Sequence, residues 1–222
     1  MDKLRRLHND AKRKLIQANT FKGALVLDVG CGRGGDLHKW KGCTLWAVDP
    51  DPESIKEAET RAKESGYDWV KFLVGDIFDA PVLPFDVICF NFSLQYIFKS
   101  EQYMKSVMEA IKSRLRIGGK LIGVVPDANR ILKLPTIWQD ALGNRIERGL
   151  YAEQNHQVGN MILVKLADGP YYAKGAVPEP LCYPEVFFRN TDLELEIWAK
   201  MIPQLTGLVT DIYSKFIFRR VI

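Results

Sequence analysis

Between residues 3 and 16 the apolar residues Leu4, Leu7, Ala11 and Leu15 recur at steps of three, four and four, one stripe of an amphipathic helix whose other face carries bases. Residues 24–29 form instead a short apolar run ending in glycines, the pattern of a strand buried on both faces of a parallel sheet. A helix should open near Gly34. The alternation then repeats, with strands over 44–48, 70–74 and 86–90 and helices over 51–65 and 101–115. The second helix places Tyr103, Val107, Ala110 and Ile111 on one side, and Gly118 and Gly119 turn the chain into a fifth strand over 120–125. Strands alternating with helices predict a mostly parallel sheet covered by helices on both faces.

After about residue 135 the alternation stops. A stretch dense in Gly, Pro and Tyr runs to about residue 184 and reads as a β-rich insertion over about 140–184, before a final helix and an apolar segment over 213–218. Nothing repeats and no low-complexity linker intervenes, so the 222 residues are expected to form one domain over 1–222.

Composition narrows the class. With 47% hydrophobic and 26% charged residues the chain is an ordinary globule, neither disordered nor fibrous. A net charge of +4 spreads no strong field over the surface, so an anionic partner must be held locally. One local excess is Lys3, Arg5, Arg6, Lys12, Arg13 and Lys14, facing only Asp2 and Asp10, which also suits a solvated helix face. Cys31, Cys43, Cys89 and Cys182 form no CxxC pair and His8, His38 and His156 lie far apart, so neither structural zinc nor a disulfide framework is expected. No apolar run suits a membrane span or a secretory signal, and the expectation is a cytoplasmic, membrane-free protein.

The chemistry begins in residues 28–36, where Gly30, Gly32, Gly34 and Gly35 follow a buried strand and let a ligand approach the backbone. Asp49 ends the next strand, where doubly wound folds place a carboxylate for a ribose. Asp76 ends the third and Asn91 follows the fourth, which puts polar groups along one carboxyl edge, the binding edge of open α/β sheets. The pattern DxGxGxGG differs from GxGxxG, and Asp36 stands where a pyrophosphate would lie, so a cofactor without phosphate fits better. S-adenosylmethionine answers that description, with ribose to Asp49, adenine to Asp76 and its methionine end at Gly30.

These residues resemble the class I AdoMet-dependent methyltransferases and, more narrowly, the mRNA cap (guanine-N7) methyltransferases. Residues 27–40, LDVGCGRGGDLHKW, are similar to that family's LDLGCGKGGDLLKW, and residues 7–16 resemble its FNNxxKxxLI helix. Residues 91–98 resemble QFxxHYxF, residues 177–183 VPEFLVY, and residues 213–219 the terminal YxxFxFxK strand. The matches run in order from residue 7 to residue 219. The chain also resembles the C-terminal methyltransferase domain of capping enzymes from large cytoplasmic DNA viruses, which implies triphosphatase and guanylyltransferase domains as partners beside capped RNA.

The resemblance implies a Rossmann-like fold with a seven-stranded sheet. It implies that Lys12 and Gly30 meet the methionine part of AdoMet, Asp49 its ribose, Asp76 its adenine, and Asn91 and Tyr96 the region of the methyl. Arg33 and Arg61 fall on positions that meet cap phosphates, and Tyr96, Pro126, Glu179 and Tyr213 on positions that enclose the guanine. His8 stands where the family has the first of two asparagines, which leaves His8 or Asn9 as the ligand contact, and Gln95 replaces a His. Its amide still donates and accepts toward a purine edge. Guanine N7 attacks with its own lone pair, so no obligatory catalytic side chain is expected, only positioning by groups such as Tyr96 and Glu179. A methyltransferase of a small metabolite and a non-catalytic binding subunit are the competing readings.

Overall fold

The computed structural model describes residues 2–149, 158–167, 172–189 and 191–222. Helix α1 (Asp2–Asn19) precedes β1 (Leu25–Val29) and β2 (Thr44–Asp49), then come α2 (Pro52–Glu64), β3 (Val70–Val74), β4 (Phe85–Asn91), α3 (Glu101–Arg114), β5 (Leu115–Pro126) and the short α4 (Ala128–Ile131). Four short strands follow, β6 (Ile137–Gln139), β7 (Arg145–Arg148), β8 (Met161–Lys165) and β9 (Val177–Pro180). Helix α5 (Pro184–Arg189), β10 (Glu194–Lys200) and β11 (Tyr213–Arg219) complete the described elements.

The central sheet has seven strands in the order β10-β11-β5-β4-β1-β2-β3, and the five strands from β5 to the edge strand β3 pair in parallel. The order reverses beside β1, so the carboxyl ends of β1 and β4 open a crevice between them, the topological switch point at which such sheets bind ligands. On one face Ile16 of α1 and Trp40 are fully buried, and on the other Met104, Val107 and Ile111 of α3 pack against Phe98 and Phe216. The stripe of α1 lies inward as its spacing requires, with Leu4 and Leu15 buried.

Three details differ from the sequence reading. The helix expected near Gly34 is a single 3-10 turn over Leu37–Trp40, because Gly42, at φ 94°, reverses the chain and β2 starts two residues later. The final helix is only Pro184–Arg189, and the seventh strand, β10, pairs antiparallel at the sheet edge with β11. The insertion begins earlier than expected, at Ile137, and forms an antiparallel sheet in the order β6-β7-β8-β9.

Candidate active site

The loop leaving β1 folds back on β2, since the Gly30 and Cys31 amides donate to the Val48 carbonyl at 2.8 and 3.0 Å. Gly30, at φ 78°, has no room for a side chain: a Cβ there would stand 2.5 Å from the Ser93 Cβ. Ser93 is fixed in that place by its hydroxyl, which donates to the Val29 carbonyl at 2.5 Å. Gly32, at φ 52°, faces open space, and its N–H donates to Asp49 Oδ2 at 2.8 Å. The other Asp49 oxygen accepts from the Asp51 amide at 3.0 Å, so the carboxylate is fixed at the end of β2. Beyond β3, Asp76 Oδ1 accepts from the Phe78 amide at 2.8 Å and Oδ2 from the Tyr103 hydroxyl at 3.3 Å. Burial and the Asp76 charge push that hydroxyl up to about 12.

Asp36 corrects the sequence argument. Lys12 Nζ lies 2.7 Å from Oδ1 and 2.8 Å from Oδ2, Lys39 Nζ lies 2.5 Å from Oδ1, and Asn91 Nδ2 lies 3.3 Å from Oδ2. Burial opposes the Asp36 charge, and the two ammonium groups overcome it and hold the carboxyl below its ordinary range. Two cations on one acid leave a positive remainder, so Asp36 repels no anion; what it does is seat Lys12. Lys39, whose side chain is wholly buried, also donates to Asn9 Oδ1 at 3.1 Å. The sequence reading missed Lys39, although its place three residues after an acid was a usable signal. Asn9 is thus bound to the loop network, while His8 packs edge-on to Tyr213 with ring centroids 5.7 Å apart.

Beneath this network Asp28 is buried and receives the Trp40 indole N–H at 3.3 Å. Burial first, and the Asp36 charge second, push its carboxyl up to about 7. Folding therefore favours the protonated acid, and the stability this gives at low pH is lost as pH rises from about 4 towards 7. Asp28→Asn keeps the acceptor for Trp40 without the charge. Its melting temperature should exceed that of the wild type more at pH 8 than at pH 5; an equal gap at both pH values would refute the assignment.

Across the crevice Phe92 sits at φ 59°, a strained left-handed conformation for an aromatic residue. Its ring lies edge-on to Tyr213 at 4.9 Å and 5.6 Å from the Lys12 ammonium. Tyr213 pairs with Pro126 across β11 and β5, which places both at one sheet end. Glu179, on β9, is buried; one oxygen accepts from Gln95 Nε2 at 3.3 Å and the other from the Tyr172 hydroxyl. Burial pushes the Glu179 carboxyl up, against the lowering effect of these two bonds. Tyr172 is pushed up by burial, then by Glu179, and further by Tyr213 and Tyr96. Sequence reading missed Tyr172, which carried no motif.

Among the buried polar atoms of the described residues that have no hydrogen-bond partner, two acceptors belong to this cluster, Asn91 Oδ1 beside Asp36 and Gln95 Oε1 beside Glu179. Arg33 and Arg61 stand apart from this cluster, roughly half exposed, both paired with Glu57, Arg33 at 3.0 Å. Among the described residues no helix is long and apolar enough to cross a membrane.

Residues 1–177 match the model of the mRNA (guanine-N(7))-methyltransferase domain. The mRNA cap guanine-N(7) methyltransferase of Eremothecium gossypii is 30% identical over 180 residues, 71% of this chain and 42% of that one. Its counterpart from Caenorhabditis elegans is 31% identical over 186 residues, 77% of this chain and 47% of that one. The chain thus spans less than half the length of these relatives. Among solved structures, an S-adenosylmethionine-dependent methyltransferase from Clostridium acetobutylicum superposes with a TM-score of 0.64 at 17% identity, covering 97% of this chain and 91% of that chain. The CcbJ methyltransferase from Streptomyces caelestis reaches 0.70 at 13% identity, covering 96% and 90%. At such identities these two establish the fold alone.

Proposed function

Because this chain belongs to the mRNA (guanine-N(7))-methyltransferase family, we propose that it moves the methyl group of S-adenosylmethionine to N7 of the terminal guanine of capped RNA. The observation that carries the reading is the pair of unsatisfied buried acceptors, Asn91 Oδ1 and Gln95 Oε1, four residues apart and placed beside two different charged groups. Buried acceptors without partners call for ligand donors, here one in each half of the crevice.

The residues of the first half fit the methyl donor. Lys12 suits its carboxylate, Asn91 Oδ1 its ammonium group, Asp49 its ribose hydroxyls and Asp76 its adenine edge. Bound there, S-adenosylmethionine supplies an electrophilic methyl group on a sulfonium sulfur.

The second half places the acceptor. Glu179 accepts from the N1–H and amino group of guanine, Gln95 adds a partner on the same edge, and Tyr96, Pro126 and Tyr213 bound the ring. N7 needs no proton removed, so no side chain serves as base, and placement supplies on the order of 7 to 11 kcal/mol. The base gains positive charge as the bond forms, and the Glu179 carboxylate favours that change. Arg33 and Arg61 exchange Glu57 for the cap phosphates. The GpppN end itself must come from guanylyl transfer to a diphosphate terminus, and we place triphosphatase and guanylyltransferase domains as partners in the cytoplasm.

Labelled donor incubated with GpppG-capped RNA should yield label on the terminal guanine alone. Label elsewhere, or only on small metabolites, would overturn the reading. Asp49→Ala should weaken donor affinity by about tenfold to a hundredfold in calorimetry, the worth of lost hydrogen bonds to a charged group, with GpppG affinity kept.

A further inference from the structure

Outside the crevice lies a cleft of about 220 Å³ whose walls include Gly34, Gly35, His38, Arg61, Ser65 and Tyr67. We propose that this cleft seats the first transcribed nucleotides of the RNA, with phosphates against Arg61 and Arg13 and a base against Tyr67. The proposal rests on the function given above and extends it from the cap to the chain behind it.

Three observations converge. Gly34 and Gly35 belong to the loop that carries Asp36, so the cleft backs directly onto the donor half of the crevice. Its charge is unbalanced towards the positive. Arg61 shares Glu57 with Arg33, two guanidiniums on one carboxylate, and the Arg13 guanidinium meets the cleft residue His38 at Nε2, 3.2 Å away. Burial, followed by the charges of Lys39 and Arg13, holds His38 towards its neutral form against the opposing charge of Asp36. The third observation is aromatic. Half-buried Tyr67 leans on Trp69, with ring centroids 5.2 Å apart at 38°, which fixes its ring as a wall of the cleft.

Cations beside a fixed aromatic face are the components with which proteins hold single-stranded nucleic acid without reading its sequence. Arg61 joins the two regions. A phosphate chain that leaves the guanine along Arg33 and Arg61 arrives in this cleft, and α1 then offers Arg13. An acidic peptide would satisfy the arginines and leave the Tyr67 face unused, so RNA is the better match.

The test uses the Arg13→Gln/Tyr67→Leu double variant, in which leucine retains an apolar group against Trp69. A fluorescein-labelled, uncapped ten-nucleotide pyrimidine RNA should bind the wild type with salt-sensitive anisotropy and bind the variant about tenfold more weakly. The ratio of kcat/KM for a ten-nucleotide capped RNA to that for GpppG should fall by a similar factor, with GpppG turnover unchanged. Arg13→Gln alone should lower the slope of log affinity against log salt by about one, the share of a single phosphate contact. Equal RNA affinity and an equal ratio in wild type and variant would overturn the proposal, as would full displacement of the RNA by a polyglutamate peptide at equal charge. If the variant loses RNA binding while the wild type transfers no methyl to GpppG, the cleft stands and the reaction assignment falls.

Discussion

Glu179→Ala is expected to lower kcat/KM for GpppG by on the order of a thousandfold while donor affinity stays within about twofold of wild type. The reasoning starts from burial. Glu179 is 3% exposed, and its two oxygens are each engaged by a neutral donor, Gln95 or Tyr172. An acid held there retains acceptor capacity on both oxygens, and a guanine edge offers two N–H donors side by side. Each hydrogen bond to a charged group contributes about 1.5 to 3 kcal/mol, and two of them account for the predicted loss. Glu179→Gln should be nearly as damaging, because its NH₂ meets a donor on the base. A glutamine variant with wild-type turnover, or an alanine variant whose loss appears in donor binding, would show that this acid does not face the acceptor.

The second large effect is expected at Asp36. Asp36→Ala leaves two ammonium groups in place of an ion-paired cluster, and one of them, Lys39, has a side chain with no exposure. Removing one member of a buried pair typically costs about 3 to 5 kcal/mol, which for a chain of this size lowers the melting temperature by on the order of 10 °C. Adding Lys39→Met removes the stranded charge and should restore about half of that loss. Donor affinity should stay low in the double variant, since Lys12 has lost the carboxylate that seats it. Recovery of both stability and affinity would mean that Asp36 serves only to neutralise Lys39.

Much of this fold was legible in the chain because the signals are local. The apolar runs of β1 and β2 and the stripe of α1 follow from burial on two faces or on one. The turn over Leu37–Trp40 was not legible as such, since the glycines that permit the ligand loop also deny a helix its length. β10 escaped notice because an edge strand with one solvated face carries weak patterning: Glu194, Leu195, Glu196 and Ile197 are all exposed, whatever their polarity. At the site, strand ends announced Asp49, Asp76 and Asn91. Ser93 matters through its contact with Val29, far back along the chain, which no spacing rule displays, and Tyr172 through a contact seven residues on that lies in no common helix or strand. Lys39, three residues after Asp36, did carry a spacing signal.

The sheet from β6 to β9 departs from the main framework after α4 and rejoins it at α5, carrying Glu179 on a single excursion of the backbone. Under the proposed function, substitutions confined to that excursion reach Glu179 and Tyr172, while Gln95, Tyr96, Pro126 and Tyr213 stay on the main framework with the proposed seat of the methyl source. On that reading one part of the acceptor pocket is a separable cassette, and grafting the excursion from a relative onto this scaffold would measure how much of the acceptor choice it carries.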